Sequence, residues 1–403
     1  MIKLKTIAIL TICALLLQNF IFAFETNSND EFAQMTGLSD CYTAAFANRE
    51  ELPLDASAVV LVERETGEVL YEKNADEPRA IASITKVMTI ILVMEALESG
   101  KISLDETVNI SEHAFSMGGS QIWLEPGEIF TVNELLKAVS VASANDAAVA
   151  LAEHVGGSED GFVSMMNQKA AELGMTKTTF KNSNGLDEDG HISCARDVAL
   201  MSREILKHEL VRNYITTWMD ELRNGETQLT NTNKMLKSFN GISGIKTGTT
   251  NKAGVCISAS AIRNDMELIA VVLGSSDSKA RFASAGTLLE YGFANYELAP
   301  IKLDMALLTP VEVSLGEEEQ CGIVYDIPKN VVVEKGKSES VMCEIEMNQK
   351  VNAPVEQGQV LGKITVYCDG IAIGNYPVTA ENAIAKLQFQ SGIVRLLKAA
   401  FTM

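Results

Sequence analysis

The run SITKVMTIILVMEALESG, residues 83–100, constrains the fold more than any other stretch of the chain. Apolar side chains continue through several helical turns and the run stops at Gly100, which is the pattern of a buried helix with a glycine just past its end. Upstream, SAVVLVERETGEVLYEKN has two β-rich runs parted by Glu-Thr-Gly-Glu, a hairpin signature. Further helical runs follow at 132–154, 159–173 and 195–208. Then AGVCISASAIRNDMELIAVVLGS restores two strands, with Arg-Asn-Asp as the turn, before a helix near 279–295. Strands, many helices, strands and a final helix predict an α+β fold in which one sheet collects chain from both ends.

At 403 residues the chain exceeds one ordinary core, so more than one domain is expected. From about Pro300 the text changes to short strand-like segments, VEVSL, VVVEKGK, MCEIEM and GKITVYC, which predict a small all-β domain over 299–380. The stretch from 381 to 403 reverts to helix. Leu387, Val394, Leu397 and Phe401 share one face, with Gln388, Ser391, Arg395 and Lys398 opposite. Three basic residues against one acid suit an interfacial helix on an anionic membrane surface. At the other end, Lys3 and Lys5 precede an apolar stretch closing at Ala23, so 1–23 read as a signal peptide and 24–46 as a polar leader. The protein is therefore expected to be exported to the outer face of the membrane and the cell wall.

A net charge of −20 excludes nucleic acid as a partner, because phosphate binding needs a basic surface. Removal of the leader takes Cys13 and leaves six cysteines, Cys41, Cys194, Cys256, Cys321, Cys343 and Cys368, without a paired metal spacing. Most read as small buried apolar residues.

The opening run holds one anomaly, a lysine where a core residue belongs. Ser83 and Lys86 are three apart, so on a helix the amine reaches the hydroxyl. Burial and a nearby cation both lower a lysine pKa, and a neutral amine can take the proton of an attacking serine. Further on, Ser143-Ala144-Asn145 stands at an apparent helix start, offering a hydroxyl for proton relay and an amide to hold a peptide carbonyl. Lys246-Thr247-Gly248 then opens a strand with a positive charge, a hydroxyl for a carboxylate and a backbone without Cβ along which substrate can lie.

Those three elements in that order resemble the penicillin-binding and serine β-lactamase superfamily. The wider wording, ASITKVMT, WLEPGE, ASANDAA, NSNGLDEDGH, CARDVA and SGIKTGTTNKAG, is similar to the low-molecular-weight D-alanyl-D-alanine carboxypeptidases over residues 47–298. The β-rich region and amphipathic tail match that family's layout of accessory domain and membrane anchor. The resemblance implies Ser83 as acylated nucleophile, Lys86 as its base, Ser143 and Asn145 as relay and substrate holder, and Lys246, Thr247 and Gly248 as the far wall. It also implies an oxyanion hole from the Ser83 and Thr249 N–H groups, and Arg281 on the substrate's terminal carboxylate. The implied reaction removes terminal D-alanine from peptidoglycan stem peptides through an acyl-enzyme, is blocked by β-lactams, and needs no metal or cofactor.

Two rivals are a class A-like β-lactamase and a non-catalytic penicillin-sensing or wall-binding module. The first uses an additional glutamate, whereas Glu188 stands in a different context here; the second should have lost Ser83, Lys86 or Lys246. None of His113, His154, His191 and His208 adjoins a GxSxG elbow, and His191 reads as structural. The WLEPGE segment with Trp123 is expected to be a packed loop under the cleft.

Overall fold

The computed structural model describes residues 51–388. The expected signal peptide and leader, with Cys13 and Cys41, lie outside the described residues.

Five strands build the central sheet: β1 (Ala58–Glu63), β2 (Val69–Lys73), β3 (Ile242–Thr250), β4 (Gly254–Arg263) and β5 (Met266–Ser275), in the order β2-β1-β5-β4-β3 and antiparallel throughout. The sheet does draw chain from both ends of the domain. Asn264 and Asp265, with φ of 49° and 63°, form the tight turn between β4 and β5, the left-handed pair that matches strand twist. Every residue of β1 is buried, because helices cover both faces of the sheet. Val59 and Leu61 pack with Leu288, Leu289 and Phe293 of α6 (Ser278–Asn295), while Ala58, Val60 and Val62 face the helical layer.

That layer is α1 (Lys86–Glu98), α2 (Val132–Lys137), α3 (Asn145–Gly156), α4 (Glu159–Glu172) and α5 (Ala195–Ile205). α1 lies at its centre, with every residue from Lys86 to Met94 buried. The run expected as one helix over 132–154 is broken. A capping box of Thr131 and Glu134 starts α2, a wide π-turn follows over Ala138–Ala142, and Ser143 turns left-handed at φ 60° before α3 begins. The break places Ser143 and Asn145 at the mouth of α3, the helix start at which the Ser-Ala-Asn text was expected to stand.

β6 (Tyr296–Pro300) follows α6 without a linker and pairs with β8 (Asn330–Glu334). The all-β region adds β7 (Val311–Ser314) and the ladder of β9 (Val341–Met347), β10 (Val360–Cys368) and β11 (Ile371–Ala380). Residues 381–388, expected to begin the terminal helix, instead run extended: Ile384 bridges Val355 and is buried in the β-domain core, and Lys386 bridges Gly316. The rest of that expected helix, 389–403, lies outside the described residues. Cys194, Cys256, Cys321 and Cys368 are buried, Cys343 is half-buried, and all five are unpaired, as small apolar residues would be.

Candidate active site

Ser83 lies on a tight turn, Ala82–Thr85, that leads straight into α1, so Lys86 is the first residue of the helix. Both flanks of this turn require glycine. A Cβ on Gly248 of β3 would come within 2.9 Å of Ile81 O and Ser83 N, and one on Gly185 within 2.0 Å of Ala82 O. Backbone therefore closes on the serine from two sides.

Lys86 Nζ is 3.0 Å from Ser83 Oγ and donates to Asn145 Oδ1 and to the carbonyl of Asn184, each at 2.6 Å. The lysine is fully buried. Burial first, then the charge of Lys246, push it well below the usual lysine range, with Asp146 opposing. A neutral amine has two N–H bonds and one lone pair. The two acceptors Asn145 Oδ1 and Asn184 O take both N–H bonds, so the lone pair is left for the Ser83 hydroxyl. That arrangement suits a base waiting to accept the serine proton.

Asn145 heads α3 and is fixed by three further contacts: its Nδ2 donates to Gly118 O at 2.6 Å, its N–H to Ser120 O at 2.7 Å, and its neighbour Asp146 accepts N–H bonds from Ile122, Leu124 and Ala147. Ser143 is 4% exposed, and its hydroxyl makes no hydrogen bond among the described residues.

Lys246, Thr247, Gly248 and Thr249 lie along the second half of β3, which begins at Ile242, so the Lys-Thr-Gly triplet sits within the strand instead of opening it. Lys246 is buried and donates to Thr247 O at 3.2 Å; burial and then the Arg281 charge bring its pKa down to about 7. Thr247 Oγ1 donates to Thr232 Oγ1 at 2.6 Å. Arg281, in the first turn of α6, reaches Gly248 O at 3.2 Å, Thr249 Oγ1 at 3.3 Å and Cys256 O at 3.1 Å. Burial lowers it to about 10, so it stays cationic at neutral pH. The geometry thus joins Ser83, Lys86 and Asn145 by direct bonds, and Arg281 to Gly248 and Thr249. The like-charge effect of Lys246 on Lys86 links the two groups.

His191 is buried and structural. Lys181 N–H donates to its Nδ1 at 3.2 Å, so its Nε2–H is the one that donates to Thr85 Oγ1, 2.8 Å away. Burial holds its pKa down at about 4, which keeps it neutral. Glu188 is exposed and accepts from Asn182 Nδ2 at 3.1 Å. The Trp123 expectation fails: the indole is 63% exposed at φ 54°. Ile122 and Leu124 are the buried members of that loop, because Asp146 ties both their N–H groups inward and the residue between them must face out. Sequence reasoning also missed Asn184, which acts through its backbone carbonyl. No side-chain chemistry could have pointed to it, although the NSNG text around it was a visible turn signal.

The sequence profile of the D-alanyl-D-alanine carboxypeptidase family matches residues 44–277, and that of the penicillin-binding protein 5 C-terminal domain matches residues 301–386. The chain is 42% identical over 363 residues to the D-alanyl-D-alanine carboxypeptidase DacF of Bacillus subtilis, covering 88% of this chain and 93% of the relative. Among solved structures it is similar to penicillin-binding protein 5 from Haemophilus influenzae, with a TM-score of 0.75, 29% identity, and coverage of 84% of this chain and 100% of that one. It is also similar to penicillin-binding protein D2 from Listeria monocytogenes in its ampicillin-bound form, with a TM-score of 0.56, 34% identity, and coverage of 60% and 100%.

Proposed function

The chain belongs to the D-alanyl-D-alanine carboxypeptidase family, and on that premise we propose that Ser83 is the nucleophile with which it trims peptidoglycan. It is a serine hydrolase that removes the terminal D-alanine of stem peptides and binds penicillins. The observation that carries the assignment of residues is the Ser83 Oγ to Lys86 Nζ contact of 3.0 Å, within a set of acceptors that uses up the amine's N–H bonds.

Ser83 Oγ attacks the carbonyl carbon of the penultimate D-alanine while its proton passes to Lys86 Nζ. The negative oxygen of the tetrahedral intermediate meets the N–H groups of Ser83 and Thr249, where one donor contributes about 3 kcal/mol. The C–N bond breaks, and the leaving amine takes a proton that Ser143 relays from Lys86. Water then attacks the ester carbonyl carbon and gives a proton to Lys86; the bond from that carbon to Ser83 Oγ breaks, and Lys86 returns the proton to Oγ. Asn145 is the substrate holder, Lys246 with Thr247 and Arg281 receives the terminal carboxylate, and Gly248 leaves room along β3. Anion recognition by a protein of charge −20 rests on these local cations.

Export through residues 1–23 and attachment of residues 389–403 to an anionic membrane face belong to the same reading. Among the described residues no helix is long and apolar enough to cross a membrane. The test is Ser83→Ala, assayed with a synthetic stem pentapeptide and a fluorescent penicillin. Both D-alanine release and covalent labelling should vanish while the fold persists; continued release would overturn the assignment.

A further inference from the structure

Lys86 occupies the first turn of α1, and Glu95 lies nine residues on, roughly 13 Å along the axis at about 1.5 Å per residue. There a second polar cluster forms, which the acylation chemistry does not use. One carboxylate oxygen of Glu95, one of Glu204 near the end of α5, and one ring nitrogen of His208 lie within 4.8 Å of one another. All three can act as acceptors, and none can satisfy the others.

His208 makes the arrangement specific. It is 6% exposed, and its Nδ1 is 2.8 Å from Glu98 Oε1. A carboxylate only accepts, so Nδ1 carries a proton and Nε2 is the ring nitrogen whose lone pair a metal can take. That Nε2 is buried and has no hydrogen-bond partner. Glu98 stands outside the cluster and already holds Nδ1, so Nε2 is the ring nitrogen left to bind an ion held by Glu95 and Glu204. A ring nitrogen oriented by a carboxylate on one side and bare on the other is the arrangement of a metal-ligating histidine with its outer partner.

We propose that Glu95, Glu204 and His208 form a binding site for a divalent transition-metal ion, with Zn²⁺ the best fit to one imidazole and two carboxylates, and Glu98 as the outer partner of His208. Metal–ligand bonds of about 2.0–2.2 Å bring such donors to within about 4 Å of each other, so small side-chain rotations complete the site. Its competitor is visible. The Lys169 ammonium of α4 ion-pairs with Glu95 and is drawn to Glu204, yet it leaves His208 Nε2 without a partner. Glu172, already 3.7 Å from Lys169 Nζ, is the carboxylate to which that ammonium shifts when metal enters. Lys207 holds Glu204 from the exposed side at 2.6 Å and leaves its other oxygen available. The ion would fasten α1 to α5 at the end remote from Ser83, so it stabilises the helical layer without taking part in acylation.

The test is calorimetric titration of the chelator-treated full chain with ZnCl₂, alongside thermal unfolding and the visible absorption of the Co²⁺ form. One equivalent of Zn²⁺ should bind and raise the unfolding temperature, and Ser83→Ala should bind it equally. Glu204→Gln and His208→Gln should each weaken binding at least tenfold, and Lys169→Met should tighten it at least tenfold. Penicillin labelling should be unchanged in Lys169→Met and Glu204→Gln. If His208→Gln fails to fold, Glu204→Gln, a near-isosteric change at a side chain that is 15% exposed, decides the question. No stoichiometric binding, binding indifferent to Glu204→Gln, or weaker binding in Lys169→Met would each overturn the site. His113 with Glu159 and His154 with Glu106 are the other histidine–carboxylate pairs, and binding at either would leave the Glu204 variant unaffected.

Discussion

Replacing Lys86 with methionine keeps most of the side chain's length and volume, exchanges one methylene for sulfur and removes the nitrogen. The catalytic loss is that of a general base, about 10²–10⁴-fold in the rate of acylation, or about 3–5 kcal/mol at 1.36 kcal/mol per decade. The structural loss has two opposed parts. Asn145 Oδ1 and the Asn184 carbonyl, each 2.6 Å from Nζ, lose their donor, at about 1–3 kcal/mol apiece. Against this, the variant no longer buries an amine whose pKa the fold forces down. The sign of that second part follows from linkage. The folded pKa lies below the unfolded value, so between the two the unfolded chain binds a proton that the native one lacks, and native stability rises with pH. The penalty is complete below the folded pKa and gone above the ordinary 10.5. Lys86→Met should therefore compare best with the parent at pH 6 and worst at pH 10. The assay is the second-order rate of labelling by a fluorescent penicillin from pH 5 to 10, with urea unfolding at the same pH values. The parent's rate should fall on the acid side as Lys86 takes up a proton, and the variant's residual rate should lack that limb. Labelling within tenfold of the parent, or an acid limb that survives the substitution, would refute the argument that Lys86 is the base.

For Lys246, whose pKa of about 7 reflects burial and the Arg281 charge, kcat/KM on a pentapeptide should decline as pH rises through that value, because the ammonium that meets the carboxylate is lost; a flat profile from pH 6 to 9 would remove it from that role. Ile384→Ala, at a site 4% exposed in the β-domain core, should cost about 2–5 kcal/mol in that domain's unfolding transition while penicillin still labels Ser83, and an unchanged transition would mean that residues 381–388 do not belong to the domain. A chain ended at residue 388 should keep its activity on a soluble peptide and lose co-sedimentation with anionic vesicles; retained sedimentation of the leader-free form would place the anchor elsewhere.

What was legible in the sequence was whatever repeats along a segment or depends on side-chain type. β1, β4 and β5 read as strands because a sheet covered on both faces is apolar at nearly every position, and the Arg-Asn-Asp turn marks where the chain reverses. Serine and lysine three apart read as a pair for a similar reason: one turn separates them, and only the burial of the lysine remained to be established. Failures came where a neighbour distant in sequence decides the conformation. Residues 138–142, AVSVA, are good helix text, and although the Ser-Ala-Asn that follows reads as a helix start, nothing local announces the π-turn or that Ser143 turns left-handed. Likewise Asn-Ala-Ile-Ala reads as helix from 382, yet Ile384 is needed by the β-domain core and bridges Val355.

Trp123 is instructive because the loop expected to pack under the cleft turns its aromatic ring outward. A large aromatic side chain predicts burial, but Ile122 and Leu124 on either side of it are the buried pair, and backbone bonds to Asp146 fix that alternation. The same Asp146 opposes the fall of the Lys86 pKa, and it follows Asn145, which accepts one of the amine's two N–H bonds. The other N–H goes to the Asn184 carbonyl, 98 residues from Lys86. The lone pair offered to Ser83 is therefore a property of three segments, while the motif residues supply one partner each. A chain could keep Ser83, Lys86 and Asn145 and lose the base if the loop at 182–191 moved its carbonyl away, because the amine would regain a free N–H and its lone pair would no longer be confined to the hydroxyl. That loop is tied down across the cleft by Thr250 Oγ1 to Asp187 at 2.6 Å and Lys252 to Asp189 at 2.7 Å. The orientation of the Lys86 amine thus depends on residues that touch neither the serine nor the lysine, at the exposed rim and also in the interior, where Ser183 O accepts from Thr89 Oγ1 at 2.5 Å and Ser183 N–H donates to Glu159 Oε1 at 2.9 Å.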